Sequence, residues 1–117
     1  MSHIYVATKW ENREYARRIM NALEERGHVI TYDWTQQEQE STEQAASDVW
    51  GVQLADVLLI LANTDAAYKG TYVELGVALG LFKRVLLVGD GLDACLFAKH
   101  WLVTKMSLEQ VFLTLRV

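Results

Sequence analysis

The stretch ADVLLILANTDAAYKGTYVELGVALGLFKRVLLVGD, residues 55–90, decides the fold. Its two apolar runs, 57–62 and 85–88, are long enough for strands that are buried on both faces. Between them, a polar loop leads to a helix predicted to begin at Gly70. Strand, helix and strand with short connections form a right-handed crossover unit, which builds parallel sheets. Ligands of such sheets bind outside the carboxyl ends of the strands, where segment 63–74 is expected to lie.

Strands and helices alternate through the rest of the chain as well. Further strands are predicted at 3–7, 28–32 and 101–104, and further helices at 11–26, 42–54 and after Ser107. Gly27 supplies a left-handed stop for the first helix, and the pairs Ser41/Gln44 and Ser107/Gln110 are capping-box signatures for the second and the last. Helical spacing predicts the packing face of each of these helices. For the first, second and last helix in turn, the predicted faces are Tyr15, Ile19, Ala22 and Leu23; Ala46, Val49, Trp50 and Gln53; and Leu108, Val111, Phe112 and Leu115.

This alternation predicts an α/β fold over residues 1–117. The expected architecture is a single-domain, doubly wound, parallel five-stranded sheet of flavodoxin-like order, covered by helices on both faces in a three-layer sandwich. A chain of 117 residues is long enough for one sizeable core and too short for two.

Composition excludes several classes of function. The net formal charge of −4, with no basic stripe, argues against a nucleic acid polymer as partner. A single cysteine, Cys95, excludes an internal disulfide and suits a reducing cytosol. The chain has no charged-then-apolar leader and no run long enough to span a bilayer, so a cytoplasmic protein without membrane contact is expected.

Glu74 is the first candidate for chemistry. Thr71-x-x-Glu74 is itself a capping-box pattern, so one interpretation has Glu74 bonding back to the helix start. The other interpretation is functional, because a carboxylate in the first turn of a helix is kept ionised by the helix dipole and faces the crevice at the strand ends. Such a carboxylate suits nucleophilic attack on an electron-poor carbon, for example the anomeric carbon of a sugar. Spacing alone favours neither.

Two further side chains are predicted to lie near Glu74. Asp48 falls outside the predicted apolar face of its helix, in the half that approaches the carboxyl ends of the strands. Two neighbouring carboxyl groups form the nucleophile and acid/base pair of glycoside chemistry, although an isolated Asp on a helix is more often solvated. Tyr5 lies in the first strand, either as a core aromatic or as a donor that holds Glu74. Asp56 begins the third strand at the opposite end of the sheet and is interpreted as structural.

The loops at the carboxyl ends of the strands are the expected substrate contacts. Trp10 and Trp34 follow the first two strands, where their rings either stack on a nucleobase or fill an interface. Lys9 and Arg13 are either phosphate ligands or solvated charges. No metal-ligand spacing, Walker loop or GxGxxG is present, so no cofactor is predicted. The predicted substrate-binding residues are Thr8, Trp10, Asp33, Trp34, Asp65, Tyr68, Gly70 and Thr71.

Taken in order, these residues resemble a known family. Ile4-Tyr5 with Trp10, then Asp48 eight residues before Asp56, then Gly70-x-x-x-Glu74-Leu75-Gly76, are similar to the nucleoside 2-deoxyribosyltransferase family and to its relatives, the 2'-deoxynucleoside 5'-monophosphate N-glycosidases. The likeness spans residues 4–88.

The resemblance implies a flavodoxin-like fold and a retaining attack on C1' of a nucleoside or nucleotide. Glu74 would be the nucleophile, Tyr5 would orient it, and Asp48 would handle the proton at the base. A glycosyl-enzyme intermediate would then be resolved by water or by a second base. The resemblance also implies a homodimer or a higher homo-oligomer.

The sequence departs from the family at three places. Tyr68 stands six residues before Glu74, where the transferases have an Asp and the nucleotide hydrolases a Ser. Asp65 is near enough in sequence to substitute. Tyr72 replaces a small residue and is expected to narrow the pocket if it points inward. The loop after the first strand lacks the Gly-rich phosphate cradle of the nucleotide hydrolases.

Two other functions are alternatives to this one. A non-catalytic nucleotide-binding or signalling module on the same scaffold stays open, because fold alone does not fix function. A phospho-acceptor receiver domain does not fit, since receivers resemble one another in an acidic pair after strand one, and here Ala7-Thr8 stands there.

Overall fold

A parallel sheet forms the centre of the molecule. The computed structural model describes residues 1–37, 42–64 and 68–115. Within these ranges the strands are β1 (His3–Ala7), β2 (Val29–Ile30), β3 (Val57–Leu61), β4 (Arg84–Val88) and β5 (Val103–Lys105). All of them pair in parallel, in the order β2-β1-β3-β4-β5. The predicted flavodoxin-like order is confirmed.

Helices cover both faces of this sheet. They are α1 (Arg13–Glu25), α2 (Thr42–Leu54), α3 (Lys69–Gly80) and α4 (Leu108–Thr114), with 3₁₀ turns at Trp10–Asn12, Trp34–Gln36 and Leu96–Lys99. The chain moves outward from β1 to β2 and then back across to β3, so right-handed crossovers place α1 and α2 on opposite faces. The Arg26 guanidinium lies 4.4 Å from the Phe112 ring centroid and joins the end of α1 to α4, whereas α2 packs against α3.

The register of the central strands brings their carboxyl ends to one edge. Ala7 of β1 pairs with Ile60 of β3, and Leu61 pairs with Val88 of β4. Every residue of β3 is buried, as the apolar run predicts for a strand covered on both faces. Thr8, directly after β1, donates its hydroxyl hydrogen to the Leu61 carbonyl at 2.7 Å, which fixes the two strand ends side by side.

The predicted helix ends are largely confirmed. Gly27 follows α1 with a φ of +91°, the left-handed conformation that glycine adopts most readily. Ser107 and Gln110 form the complete capping box at the start of α4. The Ser41/Gln44 box lies outside the described residues, because Ser41 is not among them. None of the helices in the described ranges has both the length and the apolar character needed to cross a membrane.

Several predicted bounds differ from the structure. The first helix begins with a 3₁₀ turn and becomes α-helical only at Arg13, and α3 begins at Lys69. The second strand, predicted at 28–32, is shortened to the two residues of β2, which is an edge strand and pairs with β1 alone. The last strand, predicted at 101–104, begins two residues later and ends one residue later, as β5; Trp101 stacks on His100 and is 76% exposed.

The predicted buried face of α2 is wrong. Ala46, Trp50 and Gln53 are exposed, whereas Gln44, Gly51 and Val52 are buried. The apolar residues of α2 are distributed around the whole helix, so their periodicity alone does not identify the face that packs. The side that packs is the one on which a glycine allows close approach to β1: a Cβ at Gly51 would lie 2.8 Å from the Tyr5 ring.

Candidate active site

A cleft of about 380 Å³ opens at the carboxyl edge of the sheet. Its floor and walls come from the end of β1 and the loop after it, from the first half of α2 and from the first turns of α3. This is where ligands of doubly wound sheets bind. The lining residues are Tyr5, Thr8, Lys9, Trp10, Glu11, Trp34, Gln44, Asp48, Tyr68, Lys69, Gly70, Thr71 and Glu74.

A short hydrogen bond joins Tyr5 and Glu74 at the bottom of the cleft. The Tyr5 hydroxyl donates to Glu74 Oε2 at 2.5 Å. Tyr5 is fully buried in β1, and Glu74, on α3, is 8% exposed. The rigid strand and helix therefore hold the carboxyl group by one of its oxygens and leave Oε1 for other contacts.

The capping-box alternative for Glu74 differs from the observed geometry. The N-cap of α3 is Tyr68, which makes no side-chain capping bond, and Thr71 is the third residue of the helix. Thr71 is 2% exposed, and its hydroxyl has no hydrogen-bond partner in the described part of the chain. Glu74 lies one turn further on, on the same side of the helix, and is bonded to Tyr5.

Burial dominates the electrostatics of the site. It raises the pKa of Glu74 to about 8; the charge of Asp48 adds to the shift, and the hydrogen bond donated by Tyr5 opposes it. Burial also raises the pKa of Asp48, again opposed by the Tyr5 hydroxyl. The pKa of Tyr5 itself is raised by burial and by both carboxylates, so Tyr5 stays a neutral donor. The two carboxyl groups therefore influence each other's titration, while the phenol stays protonated.

Asp48 faces the cleft from α2. Its Oδ1 atom is buried and has no hydrogen-bond partner among the described residues. A buried carboxyl oxygen without a partner is costly, and native structures keep one mainly where a ligand, water or proton is to be bound. With Glu74 opposite, the cleft therefore contains one oriented carboxyl group and one carboxyl group with an unused oxygen.

The two tryptophans shape one wall of the cleft. Trp34 is buried and donates its indole N–H to the Val6 carbonyl at 2.7 Å. Trp10 is half-buried, with its ring centroid 6.2 Å from that of Trp34. The Arg13 guanidinium lies 4.6 Å from the Trp10 ring centroid and donates to the Trp10 carbonyl, so Arg13 is engaged locally.

The other predicted contacts divide into two groups. Thr8, Tyr68, Gly70 and Thr71 line the cleft. Asp33 does not: its carboxylate accepts from the backbone N–H and hydroxyl of Thr35 and caps a 3₁₀ turn. Asp65 lies outside the described residues.

Tyr72 does not narrow the cleft. Its side chain is 41% exposed and lies in a different, apolar groove along the outer side of α3. Asp56, at the far end of the sheet, accepts from the His3 backbone N–H at 3.1 Å, which is the structural contact expected of it.

Four residues of the site were missed from sequence: Glu11 and Lys69, which line the cleft, and Gln44 and Gly51 on α2. Gln44 lines the cleft four residues before Asp48, and Gly51 follows three residues after it, so all three share one side of α2. Gly51 brings that side against the Tyr5 ring. A sequence signal for this face exists: two polar residues and a glycine lie on one helical stripe, in the spacing Gln44-x₃-Asp48-x₂-Gly51. In the described ranges, no group of three or more His, Cys, Asp or Glu side chains is placed to hold a metal ion.

Comparison with protein families agrees with this arrangement. A family model described as nucleoside 2-deoxyribosyltransferase matches residues 4–109, a range that includes every residue that lines the cleft and all five strands apart from His3. A comparison with curated proteins finds no match. The family match covers most of the chain, and the protein therefore belongs to the nucleoside 2-deoxyribosyltransferase family.

Proposed function

We propose that the protein cleaves the N-glycosidic bond of a nucleoside or nucleotide through a glycosyl-enzyme intermediate, with Glu74 as nucleophile. The observation that carries this proposal is the 2.5 Å hydrogen bond from Tyr5 to Glu74 in a cleft shared with Asp48. Family membership supports nucleoside chemistry of this general kind.

In the first step, Glu74 Oε1 attacks the anomeric carbon while Oε2 stays bonded to Tyr5. A C–O bond forms, the C–N bond breaks, and its electron pair leaves with the base. Asp48 donates the proton that neutralises the departing base. The step requires Glu74 ionised and Asp48 protonated. The Tyr5 hydrogen bond supports the first condition, because it stabilises the Glu74 carboxylate against the effect of burial.

In the second step, an acceptor attacks the same carbon and releases Glu74. With water, Asp48 takes the proton and the product is a free sugar or sugar phosphate. With the nitrogen of a second base, a new nucleoside forms and the reaction is a transfer. Two successive displacements at one carbon retain its configuration. The tilted pair Trp10 and Trp34 offers aromatic surface to the base.

Self-association through α3 is part of the proposal. Lys69 and Glu74 are the only charged residues of α3, and Glu74 is buried, so the outer side of the helix carries no charge beyond its first residue. Val73 on that side is 60% exposed, and an apolar groove of about 600 Å³ runs along it. A helix that is apolar all round is normally covered, and a second copy of this chain is the proposed cover.

Base release from a panel of ribo- and deoxyribonucleosides and their 5'-monophosphates tests the chemistry. Purified protein is assayed by HPLC with and without a second free base, beside Glu74→Gln. We expect Glu74→Gln to lower base release at least ~10³-fold, because the amide is no nucleophile. Intact-mass analysis of the wild-type protein during turnover should detect a glycosyl adduct that Glu74→Gln lacks.

Glu109→Gln is the matched control, since Glu109 is an exposed residue of α4 outside the cleft. Base release retained by Glu74→Gln would refute the nucleophile. If wild-type protein releases no base, but a nucleotide raises its melting temperature, the protein is a binding module.

A further inference from the structure

The end of the cleft at the start of α3 carries positive charge and unused donors. Lys9 and Lys69 both line it, and the one acidic side chain among its lining residues at that edge, Glu11, is exposed. The first backbone N–H groups of a helix lack intrahelical acceptors and point toward this end. Gly70 adds no side chain there, and the space that its Cβ would occupy is open to at least 4 Å.

A buried hydroxyl also points to a ligand at this end. Thr71 lines the cleft, is 2% exposed, and its Oγ1 has no hydrogen-bond partner in the described ranges. A buried donor without a partner costs free energy unless a ligand or water supplies one. The backbone N–H groups at the start of α3 and the Thr71 hydroxyl are therefore two independent kinds of donor that lack an acceptor, and one ligand could supply both.

Lys9 is held in place beside the helix start. Its Nζ donates to Thr64 Oγ1 at 2.8 Å and lies 5.9 Å from the Tyr68 ring centroid. The Tyr68 hydroxyl in turn accepts from the Thr64 backbone N–H at 3.2 Å. Among the described residues, no carboxylate forms an ion pair with Lys9.

We infer that this end of the cleft binds the 5'-phosphate of the substrate, and that Lys9 makes the protein prefer a nucleoside 5'-monophosphate to the free nucleoside. The inference rests on the proposed function, which places the anomeric carbon at Glu74. Gly70 lies four residues before Glu74, about 6 Å along the helix axis. A 5'-phosphate is joined to the anomeric carbon through the ring oxygen O4', the ring carbon C4', the exocyclic carbon C5' and the ester oxygen O5', so it extends over such a distance.

The substrate's phosphate oxygens then meet three kinds of donor. Lys9 supplies a point charge, the first turn of α3 supplies backbone N–H groups, and Thr71 supplies its hydroxyl. Helix starts with a nearby lysine are a common way to bind phosphate. Tyr68, which is fully buried and bonded to Thr64, acts on the phosphate only through Lys9 and is a positioning residue.

Lys9→Met tests the inference, because it keeps the apolar stem and removes the charge. The measurement is kcat/KM for one deoxynucleoside and for its 5'-monophosphate. We expect wild-type protein to prefer the monophosphate, and Lys9→Met to lower the ratio of the two values by ~10- to 100-fold, mainly through KM. Lys99→Met is the matched control, because Lys99 lies outside the cleft.

An equal loss on both substrates would overturn the inference, since a lysine that only holds the Thr64 loop affects both alike. A wild-type preference for the free nucleoside would overturn it as well.

Binding measured in Glu74→Gln separates this inference from the proposed chemistry. Its melting temperature is followed with the monophosphate, the nucleoside and inorganic phosphate at equal concentrations. We expect the monophosphate to stabilise most, and the difference to vanish in Glu74→Gln combined with Lys9→Met. This result stands even if wild-type protein turns over nothing, in which case the chemistry fails and the phosphate site is supported. Equal shifts with nucleoside and monophosphate, or an equally large shift with inorganic phosphate, would overturn the nucleotide phosphate site.

Discussion

At the scale of single residues, the cleft is organised around one buried carboxyl group whose proton is controlled by its neighbours. Burial favours the protonated form of Glu74, as does the charge of Asp48, while the Tyr5 hydroxyl favours the carboxylate. The two polar neighbours therefore act in opposite directions on the same group. Removing Tyr5 and removing Asp48 should therefore shift the pKa of Glu74 in opposite directions.

Titration of Glu74 should report these two influences separately. With ¹³C-labelled glutamate, we expect the Glu74 carboxyl to titrate near pH 8 in wild-type protein. Tyr5→Phe removes the donor to the carboxylate and should raise the pKa, whereas Asp48→Asn removes a negative neighbour and should lower it, each by on the order of one pH unit. The measurement is NMR of the carboxyl carbon, assigned by its absence in Glu74→Gln.

Tyr15→Phe serves as the control, because Tyr15 lies on α1 outside the cleft and should leave the Glu74 pKa unchanged. Shifts of the same sign in Tyr5→Phe and Asp48→Asn would contradict the arrangement of the cluster.

At the scale of elements, the site depends on how closely α2 approaches β1. A Cβ at Gly51 would lie 2.8 Å from both the Tyr5 ring and Tyr32 Cβ. Contacts this short are not tolerated, so the helix can pack here only with glycine. The same approach places Asp48, one turn earlier, at the cleft.

Gly51→Ala should therefore destabilise the protein, although alanine is the better helix former. We expect a loss of about 1–3 kcal/mol of unfolding free energy from overpacking, together with slower base release, because the Tyr5 ring must shift away from its bond with Glu74. Thermal unfolding and the HPLC assay measure the two effects.

Asn21→Ala provides the contrast. Asn21 is exposed on α1, away from the cleft and from the outer side of α3, so this substitution should gain roughly 0.5 kcal/mol from helix propensity. A Gly51→Ala protein that unfolds at or above the wild-type temperature would disprove the packing argument.

At the scale of the whole molecule, the outer side of α3 is an exposed apolar surface. Besides Val73, the exposed apolar side chains around it include Phe82 at 75% and Phe97 at 65%. Phe82 has a φ of +57°, a left-handed conformation that costs a non-glycine residue about 1–2 kcal/mol. This left-handed residue ends α3: the Lys83 backbone N–H bonds to the Ala78 carbonyl at 2.8 Å, and the Phe82 side chain is left at the surface.

A charged side chain introduced on the outer side of α3 should dissociate the proposed homo-oligomer into monomers. Wild-type protein should run in size-exclusion chromatography with light scattering at a multiple of 13.3 kDa, and Val73→Lys as the 13.3 kDa monomer. Asn21→Lys, on the exposed side of α1, should keep the wild-type mass. A monomeric wild-type protein, or an oligomer that survives Val73→Lys, would exclude α3 as the interface.

Local patterns in the sequence determined the architecture. The apolar runs that became β3 and β4 fall short of helix length and lie between turn signals, so they specified buried parallel strands, and the crossovers between them fixed the strand order. The position of Glu74, Asp48 and Tyr5 on the elements that meet at one cleft followed from the same topology. The Ser107/Gln110 capping box and the stop at Gly27 act within a few residues and were equally readable.

Only the tertiary structure decided which side of α2 packs, because apolar residues surround that helix and the choice depends on the fit of Gly51 against Tyr5. It also decided that Glu74 bonds to Tyr5 rather than to its own helix start, that Asp33 caps a turn instead of lining the cleft, and that Tyr72 points away from it. These outcomes depend on contacts between residues far apart in the chain. A hydrogen bond over 69 positions, or a clash avoided between a strand and a helix, leaves no periodic signal in the sequence.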